Sequence, residues 1–111
     1  MTTTHLSPTI ALFFDLMEGP DKTRTIDLFA PGAVVTDDGR TYADREAILG
    51  WLGRTAGEFS YTSTLLAAEE SDGVAMVDRL LEGDFPGGRV QLRYTFDLTP
   101  EGLVGELRIA A

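Results

Sequence analysis

The sequence contains no cysteine, and His5 is its only histidine. A disulfide framework, a thiolate nucleophile and a cysteine-ligated metal are therefore excluded, and a histidine-based site is close to excluded. There is no apolar run of about eighteen residues, and residues 1–5 lack the basic start and apolar stretch of a signal peptide. We expect a cytoplasmic protein with no membrane contact, no metal and no cofactor.

Positive charge is also scarce. The chain has 9 basic and 18 acidic residues, for a formal net charge of -9. Such a field repels phosphate backbones and anionic lipid surfaces, so nucleic acid is not an expected partner.

The remaining composition is that of a globular protein, with 43% hydrophobic and 24% charged residues. A length of 111 residues suffices for one hydrophobic core. We predict a disordered tail over residues 1–6 and a single domain over residues 7–111.

Apolar residues at helical spacing predict three helices in the amino-terminal half. The first begins at Ser7-Pro8, a hydroxyl cap followed by a proline suited to the first turn, and ends at Gly19-Pro20. The second is capped by Asp21 and ends at Pro31-Gly32, and the third is capped by Asp44. The residues expected to face the core are Ile10, Phe13, Phe14 and Met17, then Ile26 and Phe29, then Ile48, Trp51, Leu52 and Thr55.

Runs rich in β-branched and aromatic residues predict the strands. A short strand over 33–36 runs into the turn Asp37-Asp38-Gly39, and four further runs are separated by turn sequences rich in glycine, proline and aspartate. These four runs cover residues 59–66, 74–82, 89–98 and 103–109. The fold class is therefore α+β, with three N-terminal helices packed on one face of a strongly curved antiparallel sheet.

Four segments of the sequence carry a family signal: 29–35 (FAPGAVV), 42–48 (YADREAI), 92–98 (LRYTFDL) and 104–109 (VGELRI). They resemble the nuclear transport factor two-like superfamily, which includes SnoaL-like and ketosteroid isomerase-like domains. The resemblance implies a cystatin-like cone around one apolar pocket. It implies no single activity, because this scaffold carries isomerases, hydrolases, cyclases, dehydratases and binding proteins.

Asp37 is one of two candidate catalytic residues. Side chains alternate along a strand, so Asp37 faces the same way as Val35, and Asp38 does not. By the resemblance, Asp37 falls where ketosteroid isomerases carry the aspartate that abstracts a proton, and in a pocket it could act as a general base. The alternative is that Asp37-Asp38-Gly39 only forms a solvated turn.

Asp78 is the second candidate, because it lies in a strand that is apolar on both faces, where an acid is costly unless it is paired or functional. The resemblance places it on one acid of the Arg–Asp–Asp triad of epoxide hydrolases. The other two triad positions fall on Met76 and Ile109, which disfavours that mechanism. The alternative is a structural ion pair between Asp78 and Arg93 or Arg108.

The isomerase mechanism also lacks partners. Its oxyanion hole uses a tyrosine on the first helix and a protonated acid on a later strand. These positions fall on Phe13 and Leu92, so ketosteroid isomerisation is disfavoured.

Several aromatic and apolar side chains are candidates for binding a substrate. Tyr94 and Tyr61 need a partner for the hydroxyl if they are buried, and Tyr42 follows a turn and could cover the pocket. Each of these residues could equally belong to the core. The full candidate set is Phe13, Met17, Tyr42, Trp51, Tyr61 and Tyr94.

The opposite sheet face is predicted to carry a mixed set of opposite charges. Such a face favours an isologous contact, and we expect a homodimer through it. The residues assigned to this face are Arg79, Leu81, Arg93, Thr95 and Asp97.

Two functions remain open at this stage. In the first, an enzyme acts on a small apolar, cyclic or polyketide-like molecule by acid/base chemistry at Asp37 or Asp78. In the second, a non-catalytic domain binds a ligand, or forms a dimeric scaffold with a filled pocket.

Overall fold

Helices precede and interrupt a single curved sheet in the computed structural model, which describes residues 7–19, 22–58 and 61–111. The helices are α1 (Pro8–Glu18), a 3₁₀ helix (Lys22–Leu28) and α2 (Arg45–Glu58). The strands are β1 (Phe29–Asp37), β2 (Arg40–Tyr42), β3 (Tyr61–Ser71), β4 (Val74–Gly83), β5 (Arg89–Leu98) and β6 (Val104–Ala110). The α+β class is therefore confirmed, whereas the arrangement of three N-terminal helices is not.

Helix α1 forms where the helical spacing predicts it, and the four predicted core residues Ile10, Phe13, Phe14 and Met17 are all buried. Its first turn differs in one detail. Ser7 makes no capping hydrogen bond; its hydroxyl donates instead to Glu70 on β3, at 2.5 Å. At the other end, the Lys22 ammonium group donates to the Met17 carbonyl and stabilises the carboxyl terminus of the helix.

The segment predicted as a second helix is only partly helical. Residues Lys22–Leu28 form a 3₁₀ helix with Ile26 buried, but Phe29 begins strand β1. The strand runs through Pro31-Gly32, where its register with β6 shifts between Phe29 and Val34. Proline can occupy a strand at such an irregularity, so Pro31-Gly32 distorts the strand instead of ending a helix. The predicted cap Asp21 lies outside the described residues.

The third helix follows the first two strands. Asp38 and Gly39 both have positive φ, 53° and 77°, which is the signature of a tight hairpin between β1 and β2. Strand β2 is only three residues long and was not predicted. Asp44 caps α2 as predicted, since its Oδ1 accepts from the Ala47 amide at 2.7 Å. Ile48, Trp51 and Leu52 are buried, and the side chain of Thr55 lies outside the described residues.

The sheet order is β2-β1-β6-β5-β4-β3. Strands β3 to β6 form the predicted antiparallel meander, but β1 pairs with β6 in parallel, so the sheet is mixed. Strand β3 continues to Ser71, past the predicted end at residue 66, because a tight turn at Asp72-Gly73 keeps it paired with β4. A register shift between Leu65 and Ala67 adds curvature.

Strand β4 has the opposite parity to the one predicted. Ala75, Val77 and Leu81 are buried against the helices, and Arg79 lies between them on the same face. Arg79 and Leu81 therefore do not belong to the outer face, whereas Arg93, Thr95 and Asp97 do. No helix in the described part of the chain is long and apolar enough to cross a membrane.

Candidate functional site

A cavity of about 280 Å³ opens between the helices and the concave face of the sheet. Its wall is mainly apolar and aromatic, and Asp37 is its one charged residue within the described parts of the chain. We call it the aspartate cavity. Ten residues line it: Met17, Asp37, Trp51, Tyr61, Leu81, Phe85, Val90, Leu92, Tyr94 and Ile109.

Asp37 reaches this cavity because it is the last residue of β1. It shares the inner face with Val35, and it lies beside Ile109 of β6 and opposite Arg40 of β2. The Asp38-Gly39 hairpin turns the chain directly after it, so the carboxylate stands at the rim of the sheet and is only half-buried. Strand β1 therefore fixes the position of Asp37. The Asp38-Gly39 turn leaves its carboxylate in contact with both the cavity and the solvent.

Trp51 on α2 orients the Asp37 carboxylate. Its Nε1 donates a hydrogen bond to Asp37 Oδ2 at 2.9 Å, and its side chain is 3% exposed. A charge-assisted hydrogen bond to a buried indole fixes one oxygen of the acid and leaves the other lone pairs for a ligand. Trp51 is the single donor to Asp37 among the described residues.

Two tyrosine hydroxyls complete the polar part of the cavity. Burial raises the pKa of Tyr94 far above its ordinary value; Tyr61 adds to the rise, Arg79 opposes it, and Asp37 and Glu18 contribute smaller increases. Burial and the charge of Glu18 also raise the pKa of Tyr61, again against the effect of Arg79. Both phenols therefore stay protonated at neutral pH and can donate hydrogen bonds.

Behind the tyrosines, Arg79 forms a partly buried polar cluster with α1 and β3. Its Nη2 donates to Glu18 Oε2 at 3.1 Å and its Nε to Ser63 Oγ at 2.6 Å. The guanidinium carbon lies 4.5 Å from the centre of the Phe14 ring, and the side chain is 12% exposed. This cluster ties β4 to the carboxyl end of α1, where a cation is favourable. Arg79 itself does not line the aspartate cavity.

The structure brings four of the six predicted substrate-binding residues to the cavity: Met17, Trp51, Tyr61 and Tyr94. The other two are elsewhere. Phe13 is completely buried in the core, and the centre of its ring lies 6.3 Å from that of Tyr94. Tyr42 packs against Trp51, at 6.2 Å between ring centres, with the Arg54 guanidinium over its ring. It does not cover the cavity.

Asp78 lies on the opposite face of the sheet and does not meet Asp37. It pairs across β4 and β5 with Arg93, whose Nε donates to Asp78 Oδ1 at 2.8 Å and whose Nη2 donates to Oδ2 at 3.1 Å. This bidentate hydrogen bonding lowers the pKa of Asp78. This ion pair is the structural alternative given for Asp78 in the sequence analysis. The structure gives no support to Asp78 as a proton carrier in the cavity.

Several residues of the cavity wall were not predicted. Leu81 was missed because the parity of β4 was inverted. Phe85 lies in a glycine- and proline-rich segment whose sequence indicates only a turn and gives no sign of a contact with the cavity. Val90 could have been found, because it lies two residues before Leu92 on the same strand and therefore on the same face. Leu92 and Ile109 appear in the sequence analysis only as positions that the resemblance aligns with catalytic residues of related enzymes.

A second void of about 350 Å³ adjoins the aspartate cavity. The two share Asp37, Val90, Leu92 and Ile109. Asp37 therefore stands at their junction. Within the described ranges, no three acidic or histidine side chains come together as a metal site would require.

The fold has counterparts among solved structures. A candidate polyketide cyclase from Sinorhizobium meliloti is 30% identical, with 95% of each chain covered and a TM-score of 0.86. The chain belongs to the nuclear transport factor two-like superfamily, as a SnoaL-like domain.

More distant members of the superfamily share the fold alone. The Δ5-3-ketosteroid isomerase of a Mycobacterium species is 21% identical, with 96% of this chain and 94% of that chain covered and a TM-score of 0.76. A Mycobacterium tuberculosis protein in complex with estradiol-17β-hemisuccinate is 17% identical, with 93% and 90% covered and a TM-score of 0.76. No family model and no curated protein matches the sequence.

Proposed function

We propose that this SnoaL-like domain binds a small, mainly apolar molecule in the aspartate cavity and that Asp37 accepts a proton from it. The observation that carries the proposal is an unfilled cavity in which one oriented carboxylate faces an otherwise apolar and aromatic wall. A few convergent polar groups in an apolar pocket are typical of small-molecule sites.

The size of the cavity limits the ligand. About 280 Å³ is near the lower end of the roughly 300–1,000 Å³ usual for such sites. A compact ring system suits this space. A longer molecule would extend past Asp37 into the adjoining void, so its reactive centre would lie beside the carboxylate.

The chemistry that suits this wall is removal of a proton from carbon next to a carbonyl group. Asp37 takes the proton, the C–H electron pair forms a C=C bond to the carbonyl carbon while the C=O π pair moves to the oxygen, and a protonated tyrosine donates a hydrogen bond to the resulting enolate oxygen. Phe13 and Leu92 cannot donate, but the Tyr94 and Tyr61 hydroxyls lie on the same wall. The similarity to a candidate polyketide cyclase supports a cyclic or polyketide-like ketone as the ligand.

Deuterium exchange tests this proposal without knowledge of the product. Cyclic ketones that raise the melting temperature are incubated with the protein in D₂O, and uptake of deuterium beside the carbonyl is followed by mass spectrometry. We expect catalysed uptake that is lost in Asp37→Asn and kept in Asp78→Asn, which changes an acid on the other face. Equal uptake with both variants would contradict the role of Asp37.

A non-catalytic binding domain is the second candidate. The open aspartate cavity beside Asp37 is compatible with ligand binding by an enzyme and by a binding domain. It disfavours the alternative in which the protein's own side chains fill the pocket. Saturable binding without deuterium uptake for any ligand would select this second function.

We also propose that the outer sheet face forms an isologous homodimer. Val74 and Met76 are exposed there, close to the Asp78–Arg93 and Asp97–Arg108 ion pairs, and a self-complementary face of this kind suits a two-fold axis. Sedimentation equilibrium should show a dimer that Met76→Glu weakens and that Leu12→Glu, at an exposed site on α1, leaves intact. A monomer at all concentrations would contradict the proposal.

A further inference from the structure

The charge of the aspartate cavity limits the chemistry of its ligand. Asp37 is an acid on the wall, and within the described residues no lysine, arginine or histidine side chain lines the cavity. Arg79, behind the tyrosines, already pairs with Glu18, and Arg40, opposite Asp37 on β2, is exposed and does not line the cavity. An anionic ligand would meet the negative charge of Asp37 on the wall, whereas a neutral apolar ligand would remove water from the carboxylate without replacing it.

The aromatic residues of the wall add to the same preference. Trp51, Tyr61, Phe85 and Tyr94 are four of the ten lining residues. The faces of such rings carry partial negative charge and attract ammonium groups, and rings that surround a carboxylate are a general solution for binding alkylated amines. The Trp51 indole occupies Asp37 Oδ2 and leaves Oδ1 for a cation.

We propose that the molecule held in the aspartate cavity carries an ammonium centre, which lies against the Asp37 carboxylate and the surrounding aromatic rings. This inference rests on the ligand binding proposed above and is independent of whether Asp37 also removes a proton from carbon. The net charge of -9 acts in the same direction, because it raises the local concentration of cations.

A pair of ligands with the same shape tests the inference. Choline carries a trimethylammonium group, and dimethylbutanol is its uncharged isostere with a tert-butyl group in that place. Binding of each is measured by calorimetry and by the quenching of Trp51, the single tryptophan of the chain. The variant is Asp37→Asn; the matched control is Asp38→Asn, which makes the same charge change at the next residue without altering the wall of the aspartate cavity.

We expect choline to bind at least about tenfold more tightly than the isostere. The ratio of the two dissociation constants should stay the same in Asp38→Asn. In Asp37→Asn it should fall towards one. If Asp37→Asn does not fold, the affinity of the wild type for choline should still fall with added salt while that for the isostere does not.

Three results would overturn the inference. Equal binding of both ligands would show that the cavity binds apolar molecules without regard to charge, and the proposed function would stand. A preference unchanged in Asp37→Asn would place the recognition of charge elsewhere. Failure of both ligands to bind, while neutral cyclic ketones do bind, would reject the ammonium centre alone; if no ligand of any kind binds, the proposed function fails too.

Discussion

The hydrogen bond between Trp51 and Asp37 is the residue contact on which the cavity depends. A hydrogen bond to a charged group contributes about 1.5–3 kcal/mol to stability. We therefore expect Trp51→Phe to lower the free energy of unfolding by about 2 kcal/mol and to weaken ligand binding.

A double-mutant cycle isolates this contact. Trp51→Phe, Asp37→Asn and the double variant are unfolded with urea, and the coupling energy is taken from the four free energies. We expect a coupling above about 0.5 kcal/mol. Strictly additive effects would show that the indole does not hold the carboxylate.

The buried hydroxyl of Tyr94 makes stability depend on alkaline pH. Its pKa is higher in the folded state than the value of about 10 for a free phenol, so its contribution is fully present below pH of about 10 and is lost as pH rises towards the folded-state pKa. Above about pH 10, the unfolding free energy of the wild type should fall more steeply than that of Tyr94→Phe. Parallel curves over the whole alkaline range would contradict the buried position of the hydroxyl.

At the scale of residues, the sequence predicts the sheet face of Asp37 better than that of Asp78. Asp37 follows a strand with one apolar side, and its parity with Val35 is sufficient to choose the face. Strand β4 is apolar on both faces, so alternation could not decide whether Asp78 or Arg79 faces the helices. The orientation of Asp78 depends on its pairing with Arg93 on the neighbouring strand. A pattern of residues along β4 alone carries no information about that partner.

At the scale of elements, the β1–β2 hairpin determines where Asp37 stands. Gly39 has a φ of 77°, and a side chain built there would meet nothing within 4 Å, so the cost of Gly39→Ala comes from the backbone alone. We expect a loss of about 1 kcal/mol in the free energy of unfolding, together with weaker ligand binding, because the turn sets the register of the strand.

Gly32→Ala is the matched control. Gly32 is also surrounded by open space, but its φ is not in the left-handed region, so the substitution should be close to neutral. Urea unfolding of both variants makes the comparison. Equal losses would mean that the conformation at Gly39 is not the cause.

Elements with a strong local signal were predicted, and elements determined by pairing were not. Helix α1 has a clear apolar stripe, and α2 has both a stripe and the Asp44 cap. The three residues of β2 are too few to produce a pattern, and the extension of β3 to Ser71 depends on its pairing with β4. The change from helix to strand at Phe29 is caused by the pairing of β1 with β6, which joins distant parts of the chain.

At the scale of the whole molecule, a mixed sheet holds one carboxylate at a cavity that the helices cover. The superfamily could be inferred from four short segments, because they contain the helix-to-strand and strand-to-turn transitions of the fold. The openness of the cavity could not be inferred, because it depends on how the side chains of α1, α2 and the sheet meet.

The indole N–H resonance of Trp51 tests the central claim most directly, because a single tryptophan gives one unambiguous signal that reports the hydrogen bond to Asp37. During titration with choline or a cyclic ketone, the account predicts a saturable shift of this resonance in the wild type and in Asp78→Asn. It predicts no comparable shift of the amides of Asp78 and Arg93. A silent indole signal, with saturable shifts at Asp78 and Arg93 instead, would place the ligand on the outer face and contradict the account.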